Sequence, residues 1–296
     1  MVKEKYKSGY VAVIGKPNVG KSTLINTLIG QKLNIVTSRP QTTRNKIIGI
    51  KTTDKYQIIF IDTPGIHKPK TLLGQHMIKE ARSALNDADI VLFLIESYGM
   101  TPEDELVSSV LKDLEKPVFL IINKVDLVNK ETLLPLIEST RTVLDFKEIF
   151  PISAIKEQNL SELMDKLIEN LPLGPQYYPE DELSDKQERF FATEIIREQA
   201  LRFLQEEVPH SVGIRLDEMK DRSERLSYIK ATILIERDSQ KMIVVGKNGQ
   251  QIKKIGECAR KELEKFLNRK VYLELWAKVS KDWRENPAIL RTLGYG

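Results

Sequence analysis

A chain of 296 residues is long enough for one large domain or two of medium size, and 41% hydrophobic with 30% charged residues is ordinary for a soluble globular protein. Apolar runs such as 90–95 and 118–122 suit buried strands and are far too short to span a bilayer. Residues 2–7 are charged and polar, so no secretory segment is expected, and the single Cys258 excludes an intramolecular disulfide framework and fits a reducing cytosol.

The net charge of +4 is uneven. From residue 200 onward 20 Lys and Arg face 14 Asp and Glu, against 26 and 28 before it. Such a surplus points to nucleic acid only where a binding motif sits inside it.

In chain order, 10–14 reads as a buried strand and 21–28 as a helix. Apolar runs at 58–61, 90–95 and 118–122 follow, spaced by amphipathic helical stretches. Leu160, Leu163, Leu167 and Leu171 then repeat at helical spacing on one face. This alternation argues for an α/β domain with a mostly parallel sheet and helices on both faces. Three prolines, a glycine and an acidic cluster in 172–185 break the rhythm and mark a linker. Beyond it come a helix at 186–204 and strands at 212–218 and 226–236. The second strand alternates Ile229, Ala231, Ile233 and Ile235 with polar residues. A short apolar segment at 242–245, a glycine loop, a basic helix at 250–267 and a strand carrying Val271, Leu273, Leu275, Ala277 and Val279 on one face complete an α+β domain. The expected division is 1–175, a linker at 176–185, and 186–296.

Gly15-Lys16-Pro17-Asn18-Val19-Gly20-Lys21-Ser22 has the spacing G-x-x-x-x-G-K-[ST], after a strand and opening a helix that continues with Thr23. Its glycines let the backbone curl until successive N–H groups point at phosphates, and the helix adds its positive end. Lys21 is expected to neutralise the β- and γ-phosphates and the Ser22 hydroxyl to ligate Mg²⁺. Asp62-Thr63-Pro64-Gly65 ends the strand 56–61. It places a carboxylate that can hold Mg²⁺ through a water and a glycine N–H that can meet the γ-phosphate. At Asn123-Lys124-Val125-Asp126, the Asp126 carboxylate can accept from guanine N1–H and the 2-amino group. Adenine would leave that acceptor unpaired, so an ATPase is excluded. The Lys124 stem can cover the base, and Asn123 can tie this loop to the phosphate loop. After the strand 149–152 come Ser153 and Ala154, whose amide can reach guanine O6.

Four strand ends thus agree on GTP or GDP with Mg²⁺. In Gln41-Thr42-Thr43-Arg44-Asn45 a threonine can complete the Mg²⁺ shell while the γ-phosphate is present. Thr43 is favoured over Thr42, and both stay open. Ile66 stands where many GTPases place a water-orienting glutamine. Isoleucine cannot hydrogen-bond, so Lys21, Thr43 and Gly65 carry the catalytic expectation and intrinsic hydrolysis should be slow. A backbone group, a monovalent cation or a partner would then have to accelerate it.

In the second domain, Gly246-Lys247-Asn248-Gly249 forms a G-x-x-G loop between the short apolar segment and the basic helix. From residue 241 onward 13 basic residues face 6 acidic. A loop whose glycines lack side chains can approach a single-stranded backbone closely, with bases in a groove beside the sheet. Val245, Gly246, Lys247, Asn248, Gly249, Ile252 and Lys253 are the expected RNA contacts, Lys254 a further phosphate partner, and a protein-only role is the alternative. Tyr272, Trp276, Trp283 and Phe266 can stack bases or simply pack. His67, His76 and His210 have no metal-ligand spacing.

These motifs together resemble, over the whole chain, the Era family of bacterial GTPases with a C-terminal type II KH domain. The single phosphate loop excludes relatives with two tandem GTPase domains. The resemblance implies a P-loop GTPase domain followed by the KH domain, and binding near the 3′ end of small-subunit (16S) ribosomal RNA. It also implies a role in 30S subunit maturation, a monomer in the cytoplasm, and peripheral association with the inner face of the cell membrane.

Overall fold

The computed structural model describes residues 6–39 and 41–296, so the charged opening at 2–5 lies outside the described residues. They form two compact units, and the last passage of the backbone from the first to the second falls between Asp185 and Lys186.

In the first unit the strands are β1 (Lys7–Gly15), β2 (Ile47–Thr52), β3 (Tyr56–Asp62), β4 (Ile90–Glu96), β5 (Val118–Asn123) and β6 (Glu148–Pro151). They lie in the order β2-β3-β1-β4-β5-β6, parallel except for β2, which runs antiparallel to β3 at the edge. The helices are α1 (Lys21–Ile29), α2 (Leu72–Asp87), α3 (Pro102–Leu111), α4 (Leu133–Thr140) and α5 (Leu160–Asn170).

The central strands are continuously apolar because both faces are covered. Val11 and Val13 of β1 pack with Leu24, Ile25 and Leu28 of α1 and Leu160, Leu163 and Leu167 of α5. Ala12 and Ile14 face the other way, with Ala81 and Ala84 of α2 and Val107 and Leu111 of α3. The leucine spacing at 160–171 therefore reports a real buried stripe.

The proline-rich stretch is anchored along the first unit. The Pro172 carbonyl accepts from Ser8 N at 3.1 Å, and Gly174 N donates to Tyr6 O at 3.2 Å. The Gln57 amide both donates to Tyr178 O (2.9 Å) and accepts from Tyr177 N and Tyr178 N (2.8 and 3.0 Å). Leu183 O accepts from Ile50 N at 2.9 Å. Backbone groups of the stretch thus find partners outside any strand ladder.

The second unit holds α6 (Glu188–Phe203), β7 (Gly213–Ser223), β8 (Leu226–Ile235), α7 (Asp238–Val245), α8 (Gln250–Leu267), β9 (Lys270–Val279) and α9 (Pro287–Thr292). Its sheet order is β7-β8-β9, with β8 antiparallel to β7 and parallel to β9. Ile229, Ala231, Ile233 and Ile235 join Ile255, Ala259 and Leu263 of α8 and Ile196 and Ala200 of α6 in one core. The segments Thr37–Thr42 and Lys70–His76 belong to this unit by packing.

Of the four stacking candidates one is a core residue and another is partly buried against the core. Trp283 is fully buried, its Nε1 donating to Ser211 O at 2.8 Å. Phe266 packs on Phe191, ring centroids 5.3 Å apart. Tyr272 and Trp276 are 52% and 59% exposed.

Candidate functional site

Four loops follow the carboxyl ends of β1, β3, β5 and β6, where open α/β sheets gather ligands. Gly15, Lys16, Pro17, Asn18, Val19 and Gly20 form the turn from β1 into α1, which opens with Lys21, Ser22 and Thr23. Gly20 adopts φ 105, and a Cβ there would sit 2.2 Å from Asn123 Nδ2. Only glycine admits that approach. It lets Asn123 donate to Val19 O at 2.9 Å while its Oδ1 accepts from Ala154 N at 3.0 Å. One buried amide thus joins three of the four loops. Ala154 N is the donor that the buried Asn123 oxygen needs, and it holds the β6 loop beside the base loop.

Lys21 is buried, and its Nζ donates to Gly15 O (3.1 Å) and Lys16 O (2.8 Å). Burial lowers its pKa to about 8, against the pull of Asp62 and Asp104. The Ser22 hydroxyl lies 2.6 Å from Asp62 Oδ2 and 3.0 Å from Thr43 Oγ1, and Thr43 Oγ1 is 3.3 Å from the same Asp62 oxygen. Burial raises the Asp62 carboxyl to about 6, with the Ser22, Lys21 and Thr43 contacts opposing it. Asp62 Oδ1 is buried with no hydrogen-bond partner among the described residues. Two hydroxyls and a carboxylate with an orphaned oxygen are a hard-oxygen set that fits Mg²⁺. Thr42 lies apart from it. Its hydroxyl meets Thr37 Oγ1 (2.7 Å) and Arg39 O (2.6 Å), and its carbonyl accepts from Arg197, which also pairs with Glu194.

Thr63 Oγ1 donates to Val13 O at 2.7 Å, fixing the end of β3 against β1. Through Pro64 the chain brings Gly65 onto the phosphate loop, where a Cβ would stand 2.6 Å from Pro17 N. Ile66 turns its side chain into the α2–α3 core and offers only its amide, which donates to Gly15 O at 3.3 Å.

Asp126 is exposed, and Ser153 Oγ donates to its Oδ1 at 2.5 Å. Lys124, at φ 66, pairs with Glu96, whose other oxygen lies 3.3 Å from Lys16 Nζ. Lys16 Nζ also meets Asp104 Oδ2 at 3.0 Å. No sequence motif marks Glu96 or Asp104. Glu96 ends β4, and only the strand order shows that β4 separates the loops of β1 and β5.

In the second unit Val245, Gly246, Lys247, Asn248 and Gly249 link α7 to α8, with Gly246, Asn248 and Gly249 at φ 72, 52 and 76. A Cβ on Gly246 would lie 2.6 Å from Gln251 Cβ, so this glycine is sterically required. Beside the loop runs a groove of about 300 Å³ lined by Ile252, Lys253, Gly256, Glu257, Arg260, Leu273 and Leu275. Lys247 and Lys253 are exposed there. Lys254 is drawn off, its Nζ 4.7 Å from the centre of the Phe203 ring.

Comparison with known proteins agrees with this geometry. A model of the family described as 50S ribosome-binding GTPase matches residues 10–124, and one described as KH domain matches residues 207–284. The crystal structure of Era in complex with MgGDPNP and nucleotides 1506–1542 of 16S ribosomal RNA aligns with a TM-score of 0.95 at 44% identity. The alignment covers 98% of this chain and 99% of that one. A variant of Aquifex aeolicus Era bound to GDP and AlF4⁻ aligns with the same TM-score, identity and coverage.

Proposed function

This chain belongs to the Era family of GTPases, and on that premise we propose that it is a guanine nucleotide switch that grips the 3′ end of small-subunit ribosomal RNA during 30S maturation. The observation that supports the switch most directly is the meeting of Ser22, Thr43 and Asp62 from three separate segments beside Lys21.

In this reading Lys21 exchanges the carbonyls of Gly15 and Lys16 for phosphate oxygens, and the amides of the Gly15–Gly20 turn cradle the phosphates. Ser22 and Thr43, with Asp62 through a water, would hold Mg²⁺, which would supply charge neutralisation on the β- and γ-phosphate oxygens. Asp126 reads the base, and Asn123 keeps the base loop and phosphate loop in register. Gly65 presents its amide toward the γ-phosphate position. Thr43 is the residue released when the γ-phosphate is lost. Because Ile66 points into the core, no side chain at that position orients water, and turnover is slow until another element supplies the function.

The Val245–Gly249 loop with Ile252 and Lys253 forms the RNA grip. The proposal further includes a cytoplasmic monomer with reversible attachment to the cell membrane. Among the described residues no helix is long and apolar enough to cross a bilayer. Flotation with vesicles tests the attachment. The test of the main proposal is Mg²⁺-dependent GTP turnover by the full chain, with and without RNA of the 16S 3′ end. The expected outcome is slow turnover alone and salt-sensitive RNA binding. Turnover at several per second unaided, or no RNA binding, contradicts it.

A further inference from the structure

We propose that the face of the β7-β8-β9 sheet opposite the helices is a second RNA contact, taking single-stranded RNA that leaves the glycine-loop groove around the edge strand β9. This rests on the RNA-binding reading above. β9 is an edge strand, and its two faces divide cleanly. Leu273 and Leu275 line the groove with α8. Tyr272, Glu274 and Trp276 alternate to the other side, in register with Tyr228, Lys230 and Thr232 of β8. A strand of RNA passing round this edge is therefore continuous with the groove.

The chemistry of the open face suits that occupant. Tyr228 and Tyr272 stack with centroids 6.0 Å apart at 19°. The Arg222 guanidinium lies 4.4 Å from one ring centre and 5.5 Å from the other. Tyr228 is buried beneath Arg222 and Lys220, so the ring left open to a base is Tyr272, which this packing holds in place. Trp276 is 59% exposed with no aromatic neighbour among the described residues, so a large apolar ring faces water. It lies four residues from Tyr272, about 13 Å along an extended strand. Around the rings stand Lys220, Arg222, Lys230 and Lys278 against Glu218 and Glu274, with Lys220 paired to Glu218; beside Trp276, Arg215 pairs with Asp217, which accepts from Thr232. Aromatic platforms interleaved with an excess of cations match single-stranded nucleic acid, whose bases stack regardless of sequence. An apolar protein helix would leave the excess of cations uncompensated.

The experiment uses the full chain and two RNAs, a short one of about six nucleotides that fills the groove and a longer one of about sixteen. Trp276→Ala, whose side chain is mostly in solvent, should weaken the long RNA about tenfold and leave the short one unchanged. Trp276→Phe should restore most of the loss, and Lys278→Glu should weaken the long RNA further. 5-Iodouracil in the long RNA should crosslink to Trp276 or Tyr272. Equal affinities of wild type and Trp276→Ala for the long RNA, without crosslinks, overturn the second contact while Lys247→Asp still weakens both RNAs. If wild type binds neither RNA, the RNA reading and this contact fall together.

Discussion

Replacing Asp126 by Asn should exchange guanine for xanthine as the preferred base. The carboxylate is exposed and held by Ser153 Oγ at 2.5 Å, so the substitution removes no core contact and should leave the folded state intact. What changes is the pattern presented to the base. Guanine offers two donors, and an Asn amide turned toward them replaces one acceptor with a donor. Hydrogen bonds to a charged group contribute about 1.5–3 kcal/mol each, and exposure places these at the low end, so about 3 kcal/mol is lost in total. That corresponds to GTP binding weakened on the order of 100-fold. Xanthine carries a carbonyl in place of the 2-amino group and accepts from the new amide, so XTP should gain. Competition of GTP and XTP against a fluorescent nucleotide, in wild type and variant, measures both shifts. Retained guanine preference in a variant with unchanged melting temperature would refute the base-reading role of Asp126.

Thr43→Ala should weaken the Mg²⁺-bound GTP analogue about tenfold and leave GDP nearly unchanged. Thr42→Ala, whose hydroxyl serves Thr37 and Arg39, should change neither in the same titration. Burial raises the Asp62 carboxyl to about 6, so below that pH Mg²⁺ must displace a proton. Mg²⁺-dependent nucleotide affinity should therefore fall up to about tenfold per unit below pH 6 and hold steady from there to about 8. Above that, Lys21 loses its proton and phosphate binding weakens, which calorimetry across the range checks. Lys247→Asp reverses an exposed charge and should weaken RNA binding while leaving nucleotide affinity intact. It should also reduce the salt slope of RNA binding by about one. Trp283→Phe removes the donor to the buried Ser211 carbonyl and should lower stability by about 1–3 kcal/mol, read from urea denaturation.

The nucleotide motifs were legible because their chemistry demands particular residues at particular spacings, and each follows a strand whose apolar run is unmistakable. Asn123 was assigned its bridging role from that logic, and the bonds to Val19 and Ala154 are the form it takes. What spacing could not show was which strand ends are neighbours. Glu96 matters only because β4 lies between β1 and β5, and nothing local in Glu96 announces it. The bond between Ala154 and Asn123 is hidden for a related reason, since the partners are 31 residues apart in sequence. The stretch 172–185 has the composition of a free linker, yet its carbonyls find donors on Ser8, Gln57 and Ile50, partners that composition does not reveal. Trp283 and Trp276 looked alike as stacking candidates. Burial separates them, through the carbonyl of Ser211, far from Trp283 in sequence.

On the proposed reading, nucleotide state and RNA grip are coupled in one chain. The most direct test is equilibrium binding of labelled 16S 3′-end RNA to the full chain loaded with Mg²⁺ and a non-hydrolysable GTP analogue, with GDP, or with neither. Coupling requires different RNA affinities in the GTP-analogue and GDP states, and the same factor in nucleotide affinity when RNA is added first. Identical RNA affinity in all three states would contradict it.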